Sequence, residues 1–208
     1  MRALRHHRGR SPVRVLGYAS VEGPPDGGLN GAFKAQMEKI AAECDRRGLS
    51  LLELVRERAP QHGSGLERPG LGYALERISA GEAQGLVVAE LSRLTRSPPD
   101  LGRLLESLRR SDARLVAAVE GLDTGEARGQ LAARMLVGRG KGWRGVADYP
   151  ELKERIAHMH AEGMTLRQIA DRLNADGMPT VRGGAEWRPS SLQAAIGYRR
   201  PRARAEVK

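Results

Sequence analysis

The chain has little cysteine and few aromatic residues. Its 208 residues include one cysteine and one phenylalanine, and aromatic residues make up 3% of the total. Cys44 therefore has no partner for an intrachain disulfide, and no paired spacing of zinc ligands is present. Because Cys44 falls in a helical pattern, we expect it to be a core residue in a reducing, cytoplasmic protein, and no cofactor is predicted.

Long apolar runs are also missing. No run is long enough to cross a membrane, and the first residues lack the apolar centre of a secretion signal, so no membrane association is predicted. Apolar residues make up 40% of the chain, which supplies a modest core of Leu, Val, Ile and Ala. The length is typical of one domain with an appendage, or of two small domains.

Acidic residues are outnumbered. The chain has 35 Lys and Arg against 25 Asp and Glu, a formal charge of +10. Such a balance favours a polyanionic partner, first of all double-stranded DNA, although an arginine-rich composition of the source would produce the same excess. Residues 1–12 are predicted to be a disordered basic arm and 199–208 a basic tail, and solvated tails are the alternative to phosphate contacts.

Hydrophobic periodicity predicts an alternating fold between residues 13 and 137. Short apolar runs indicate strands, and longer stretches with apolar positions three and four apart indicate helices. The predicted strands lie at 13–21, 49–55, 86–90 and 114–119, and the predicted helices lie at 31–47, 69–80, 98–108 and 127–137. The order βαβαβαβ, followed by the last helix, predicts an α/β domain with a mainly parallel sheet and helices on both faces.

Two arginines follow the third strand closely. Arg93 and Arg96 are three residues apart, so a helix beginning at Arg93 would place both guanidiniums on one face. They also come at the carboxyl end of a parallel strand, where open α/β sheets place their sites. A phosphate site and a solvated basic turn both fit these residues.

A second, smaller domain is predicted after a basic glycine-rich linker at 138–148. In 149–198, Thr165 with Gln168 predicts a capping box, a Gly183-Gly184 turn suggests a small hairpin, and Pro189 opens a third helix. A basic all-helical module favours DNA binding, and a three-helix protein-interaction domain is the alternative. The residues proposed to contact DNA are Arg139, Lys141, Arg144, Arg167, Arg182, Arg188, Arg199 and Arg200.

Several short motifs, in this order, resemble the serine recombinase family of resolvase and invertase type. They are Gly17-Tyr18, Gln36, the segment 65–71 containing Arg68-Pro69-Gly70, Leu91-Ser92-Arg93-Leu94-Thr95-Arg96, Gly121-Leu122-Asp123-Thr124, and Leu166 to Asn174 with Pro179-Thr180 and Arg182-Gly183-Gly184. The resemblance covers about 13–137 for a resolvase-like catalytic domain and 151–198 for a DNA-binding domain. It implies site-specific strand exchange through a phosphoserine link to DNA, without metal, in a homo-oligomer. Arg68, Arg93 and Arg96 match family arginines that hold phosphate oxygens.

The chain departs from the family pattern in its first strand. Glu22 stands at the nucleophile position, Ser20 at that of an active-site arginine, and Ser92 at that of an aspartate. A carboxylate repels a phosphodiester, while Ser20, on the same side of a strand and about 6–7 Å away, is a candidate for a shifted nucleophile.

Assembly is affected by a further departure. The helix that carries the family's dimer contact ends near Val137, in a glycine-rich stretch, which argues against the usual dimer.

Three functions fit these residues. The first is a DNA-binding family member without strand exchange, either a regulator or a mobile-element remnant. The second is an active recombinase, for DNA recombination or integration, that uses Ser20. The third is a scaffold that does not bind DNA.

Overall fold

A computed structural model describes residues 12–22, 30–59, 67–95, 97–138, 145–181 and 184–193. The chain forms two compact units. The first unit contains residues 1–96 together with Arg103–Val119, and the second contains Ser97–Gly102 together with Glu120–Lys208.

Strands and helices alternate through the first part of the chain, as the periodicity predicts. In chain order they are β1 (Arg14–Glu22), α1 (Asn30–Arg47), β2 (Ser50–Ala59), α2 (Pro69–Ser79), β3 (Gly85–Val88), α3 (Pro98–Arg110) and β4 (Arg114–Ala117). The predicted α/β class with a mainly parallel sheet is therefore confirmed. Strands β3 and β4 end two residues earlier than the sequence suggests.

The sheet has five strands in the order β2-β1-β3-β4-β5, where β5 is the two-residue strand Leu122–Asp123. β1 pairs in parallel with β2 and with β3, and β3 pairs in parallel with β4. Tyr18 lies opposite Val55 on β2 and opposite Val88 on β3. β1 is therefore an interior strand, which explains why its residues from Val15 to Val21 are all buried.

Helices α1 and α2 cover opposite faces of the sheet. A Cβ at Gly17 would lie 3.1 Å from Ile40 of α1, so Gly17 faces that helix. Tyr18, the next residue along β1, points the other way and hydrogen-bonds to Glu57, which also binds the start of α2. The core on the α1 side contains Val15, Ala19, Ile40, Cys44, Val87, Ala89 and Val116. Cys44 is buried as predicted, and burial raises the pKa of its thiol to about 11.

The second unit is mostly helical. It contains β5, α4 (Ala127–Gly138), α5 (Pro150–Ala161), α6 (Leu166–Ala175) and the short α7 (Pro189–Leu192). The predicted capping box is present, because Gln168 N donates to Thr165 Oγ1 at 3.3 Å and Thr165 N donates to Gln168 Oε1 at 2.9 Å. Among the described helices none is sufficiently long and apolar to span a membrane.

A single 3-10 turn follows β3, not the helix from Arg93 that would place Arg93 and Arg96 on one face. That turn, Leu91–Arg93, ends at Leu94, and α3 begins only at Pro98. Proline restrains the residue before it from helical geometry but fits the first turn of a helix, which explains the later start. Arg96 lies outside the described residues, so its predicted position beside Arg93 stays a prediction.

Gly183 of the predicted hairpin turn lies outside the described residues, and the residues described between α6 and α7 contain no strand. The buried Trp187 docks on α6 instead. Trp187 N donates to Asn174 Oδ1 at 2.7 Å, and Asn174 Nδ2 donates to Trp187 O at 3.1 Å. The Asn174 side-chain amide thus satisfies both the N–H and the carbonyl of Trp187, which a neighbouring strand would satisfy in a hairpin.

Helix α4 packs closely on the turn that precedes it. Asp123 is buried, and its Oδ1 accepts a hydrogen bond from Gly125 N at 2.8 Å, which holds the turn. A Cβ at Gly129 of α4 would lie 1.8 Å from Asp123 O. No side chain fits between α4 and the Asp123 backbone at this position. Gly129 therefore sets how closely α4 contacts the turn.

We predict that Gly129→Ala destabilises the second unit by about 2 kcal/mol or more, because the obstructing atoms belong to the backbone and cannot rotate away. The matched control is Gly72→Ala in α2, where a Cβ meets nothing within 4 Å and a gain of about 0.5–1 kcal/mol is expected. Thermal unfolding followed by far-ultraviolet circular dichroism measures both. Equal midpoints for the two variants would show that α4 shifts freely over the turn.

Candidate functional site

The site is built at the carboxyl end of β1, beside the segment that follows β3. Tyr18 and Ser20 alternate with the residues that face α1, so both point to the α2 side of the sheet, and both are buried. Glu22, two residues further, is exposed at the end of the strand. Ser20 is therefore inside the site, and Glu22 lies at its rim.

Arg68 is the centre of the site. It immediately precedes α2, and only 5% of the residue is exposed. Its Nη1 donates to the backbone oxygen of Arg93 at 2.7 Å and also lies 3.3 Å from the hydroxyl of Ser20. The same nitrogen lies 3.3 Å from the hydroxyl of Tyr18. A predicted site arginine thus contacts the Ser20 side chain and the Arg93 backbone.

Glu57 of β2 is a site residue that the sequence analysis missed. Its carboxylate accepts hydrogen bonds from Gly70 N at 2.8 Å and from Leu71 N at 3.2 Å, in the first turn of α2. A carboxylate at a helix N-terminus satisfies free N–H groups and matches the helix dipole. Glu57 therefore fixes the start of α2, and with it the adjacent Arg68.

The same carboxylate also binds Tyr18. The Tyr18 hydroxyl donates to Glu57 Oε2 at 2.7 Å. Burial, together with this hydrogen bond, raises the pKa of Tyr18 well above its usual value. The phenol consequently stays protonated and acts as a donor toward Glu57, which leaves its oxygen free to accept from Arg68.

The Ser20 hydroxyl is fully engaged. Ser20 is 2% exposed, and its Oγ donates to the backbone oxygen of Arg93 at 2.8 Å. Gln36 of α1, one of the motif residues, binds both the backbone N–H and the backbone carbonyl of Ser20. Ser20 N donates to Gln36 Oε1 at 3.1 Å, and Gln36 Nε2 donates to Ser20 O at 2.9 Å. Both the side chain and the backbone of Ser20 are thus held in place.

The side chain of Arg93 is held by a carboxylate. Its Nη2 lies 3.6 Å from Glu90 Oε2, and Lys39 Nζ lies 3.5 Å from the other oxygen of Glu90. Ser92 Oγ donates to Glu90 as well, at 3.2 Å. The Nε of Arg93 is buried and has no hydrogen-bond partner among the described residues. Arg93 is thus partly neutralised by Glu90 while keeping an unused donor.

The structure brings some of the predicted site residues together and does not test others. Arg68, Ser20 and the Arg93 backbone form one hydrogen-bonded cluster. A shared anion site beside Glu22 stays a prediction, because Arg96 is outside the described residues. No group of three or more histidine, cysteine, aspartate or glutamate side chains within the described ranges has a geometry suited to a metal ion.

The described cations of the predicted DNA-binding surface are Arg167 on α6 and Arg188 before α7. Both are exposed. The remaining residues of that set lie outside the described ranges: Arg139, Lys141, Arg144, Arg182, Arg199 and Arg200.

Comparison with known protein families gives two matches in chain order. Residues 28–139 match the resolvase N-terminal domain, and residues 148–200 match the recombinase domain. The first match begins after β1, so it does not include the strand that carries Ser20 and Glu22. No curated protein matches the chain significantly.

Solved structures resemble the chain at low identity. The N-terminal catalytic domain of TP901-1 integrase is 20% identical, with a TM-score of 0.51, and the match covers 59% of this chain and 90% of that one. A resolvase family site-specific recombinase from Streptococcus pneumoniae is 18% identical, with a TM-score of 0.49, covering 72% of this chain and 95% of that one. Because the first family match alone spans more than half of the residues, the chain belongs to the serine recombinase family, with a resolvase N-terminal domain followed by a recombinase domain.

Proposed function

We propose that this member of the serine recombinase family binds double-stranded DNA without exchanging strands. The observation that carries the proposal is the state of the one hydroxyl on β1 near the family's nucleophile position. Ser20 Oγ is buried and donates a hydrogen bond to the backbone oxygen of Arg93. Glu22, at the nucleophile position itself, supplies a carboxylate rather than a hydroxyl.

The chemistry of attack on a phosphodiester supports this reading. The attacking oxygen must form a bond to phosphorus while a deoxyribose oxygen leaves, and its proton must pass to a base. The Arg93 carbonyl that accepts the Ser20 hydrogen bond is a very weak base. The phosphorus must also come within about 3–3.5 Å of the attacking oxygen, which the burial of Ser20 opposes.

The site arginines are already partly neutralised or bonded within the protein. Arg68 Nη1 binds the Arg93 carbonyl, and Arg93 Nη2 pairs with Glu90. A phosphate entering this site must displace these contacts and would also approach Glu22 and Glu90, which carry the same charge. These internal contacts satisfy the polar groups of the site and oppose entry of a DNA phosphate.

One observation favours an active recombinase with a shifted nucleophile. Ser20 Oγ lies 3.3 Å from Arg68 Nη1, so the hydroxyl adjoins a guanidinium that could stabilise charge on a transferring phosphoryl group. This second candidate requires Ser20 to exchange its bond to the Arg93 carbonyl for one to a base.

The second unit is the proposed main contact with DNA. Arg167 and Arg188 are exposed, and neither has an ion-pair partner within the part of the chain that the structure describes. Exposed, unpaired cations can neutralise DNA phosphates, and so release counterions, without first breaking an ion pair within the protein. Six further cations are proposed to contact DNA and lie outside the described ranges: Arg139, Lys141, Arg144, Arg182, Arg199 and Arg200.

We predict that the unmodified protein forms no covalent adduct with DNA. The substrate is a library of nicked duplexes with a randomised centre, so that no target site need be known, and adducts are detected on a denaturing gel. Glu22→Ser restores a hydroxyl but not the arginine missing at Ser20, and such groups act together, so we expect at most a weak adduct until Ser20→Arg is added.

Glu22→Gln is the matched control in this assay, because it removes the charge without adding a hydroxyl. Thermal unfolding of each variant checks that an arginine at the buried position 20 is tolerated. An adduct from the unmodified protein that disappears in Ser20→Ala would overturn the proposal and make Ser20 the catalytic residue.

We predict that Arg167→Ala with Arg188→Ala weakens DNA binding and flattens its dependence on salt. Each lost phosphate contact lowers the slope of log K against log salt by about 0.9, so the pair should lower it by up to about 1.8. The control is Arg109→Ala with Arg110→Ala, which removes the same charge from exposed residues of α3 that pair with Glu106. Equal slopes for both double variants would favour a general charge effect, and no binding at all would favour the scaffold.

A further inference from the structure

Three arginines of the second unit converge on one carboxylate. Asp176 Oδ1 lies 3.1 Å from Arg128 Nη1 of α4, and Asp176 Oδ2 lies 3.4 Å from Arg172 Nε of α6. Arg155 of α5 donates through Nη2 to the same Oδ2. Only 11% of the Asp176 side chain is exposed. A single residue therefore joins three helices of this unit.

The position of Asp176 makes this cluster unusual. Asp176 is the C-cap residue of α6, where the negative end of the helix dipole disfavours a carboxylate. The arginines offset that cost. While each is paired with Asp176, its guanidinium is less available to another anion. Three guanidiniums and one carboxylate leave a local charge of about +2, reduced by Glu126, which lies 3.7 Å from Arg128 Nη2.

We propose that Asp176 is an internal substitute for a DNA phosphate and masks a second phosphate-binding cluster formed by Arg128, Arg155 and Arg172. The inference rests on the proposed DNA binding. Carboxylates and phosphates accept the same forked hydrogen bonds from guanidinium groups, so one can replace the other. Arg172, whose side chain is 63% exposed, is the most accessible of the three to a phosphate once Asp176 is removed.

This cluster differs from Arg167 and Arg188 in its response to charge removal. Removing an unpaired surface arginine lowers DNA affinity directly. Removing Asp176 frees cations that are occupied in the native chain, and so raises both the affinity and the number of counterions released on binding.

The experiment measures retention of a random-sequence duplex over a series of salt concentrations, using the full chain and the variants Asp176→Asn and Glu154→Gln. Glu154 is an exposed carboxylate of α5 without an ion-pair partner among the described residues, so both variants lose one negative charge. The slope should steepen by up to about 2.7 in Asp176→Asn, at about 0.9 for each freed arginine, and by less than about 0.9 in Glu154→Gln. Equal slopes in the two variants, with the native chain still binding DNA, would overturn the masking role of Asp176 and leave the proposed DNA binding intact.

Arg172→Gln tests the mask without removing Asp176, which matters if Asp176→Asn loses its cooperative thermal transition. In the otherwise native chain it should leave the slope unchanged, because Arg172 is masked, whereas in the Asp176→Asn background it should lower the slope by about 0.9. A fall of that size in the native background would show that Arg172 already contacts DNA, and would overturn the proposal. Failure of the native chain and of Asp176→Asn alike to retain DNA would overturn both this inference and the proposed function.

Discussion

The burial of Arg68 is the constraint on which the first unit's site depends. A guanidinium that is 5% exposed must have acceptors nearby, because an unpaired buried charge costs several kcal/mol. The Ser20 and Tyr18 hydroxyls of β1 and the Arg93 carbonyl of the segment after β3 supply them. The cluster therefore joins β1 to the segment after β3, and Glu57 joins both to the start of α2 through Tyr18 and two backbone N–H groups.

This constraint also explains why the departures from the family pattern matter together. A serine at position 20 is short enough to lie under Arg68 and bond to the Arg93 carbonyl, whereas an arginine there would place a second guanidinium beside the first. With Ser20 in this position, the internal contacts satisfy the site without a phosphate. Under the proposed function a carboxylate at Glu22 is tolerated, because the site is not required to attract an anion.

The sequence predicts those features of the chain that follow from local patterns. The alternation of strands and helices, the cap at Thr165 and the burial of Cys44 each follow from the spacing of residues within one segment, and the structure confirms them. The role of Glu57 was not predictable in this way, because its partners are 13 to 39 residues distant and an acid on an alternating strand resembles a surface residue. The Arg93 carbonyl leaves no sequence signal at all, because any residue would supply it. Boundaries between the domains and the positions of Arg96 and the linker cations stay predictions.

Two carboxylates, one in each unit, illustrate how the helix dipole changes what an acid does. Glu57 binds the N-terminus of α2, where the dipole and the free N–H groups both stabilise a negative charge. Its contacts are favourable without any cation, which suits a residue that positions a site permanently. Asp176 lies at the C-terminus of α6, where the dipole opposes it, so its stability depends on the arginines around it. In the proposed mask this contact keeps the arginines occupied, so they become available to another anion only when Asp176 is removed. The position of each acid on its helix thus decides whether the helix itself or the surrounding arginines stabilise its charge.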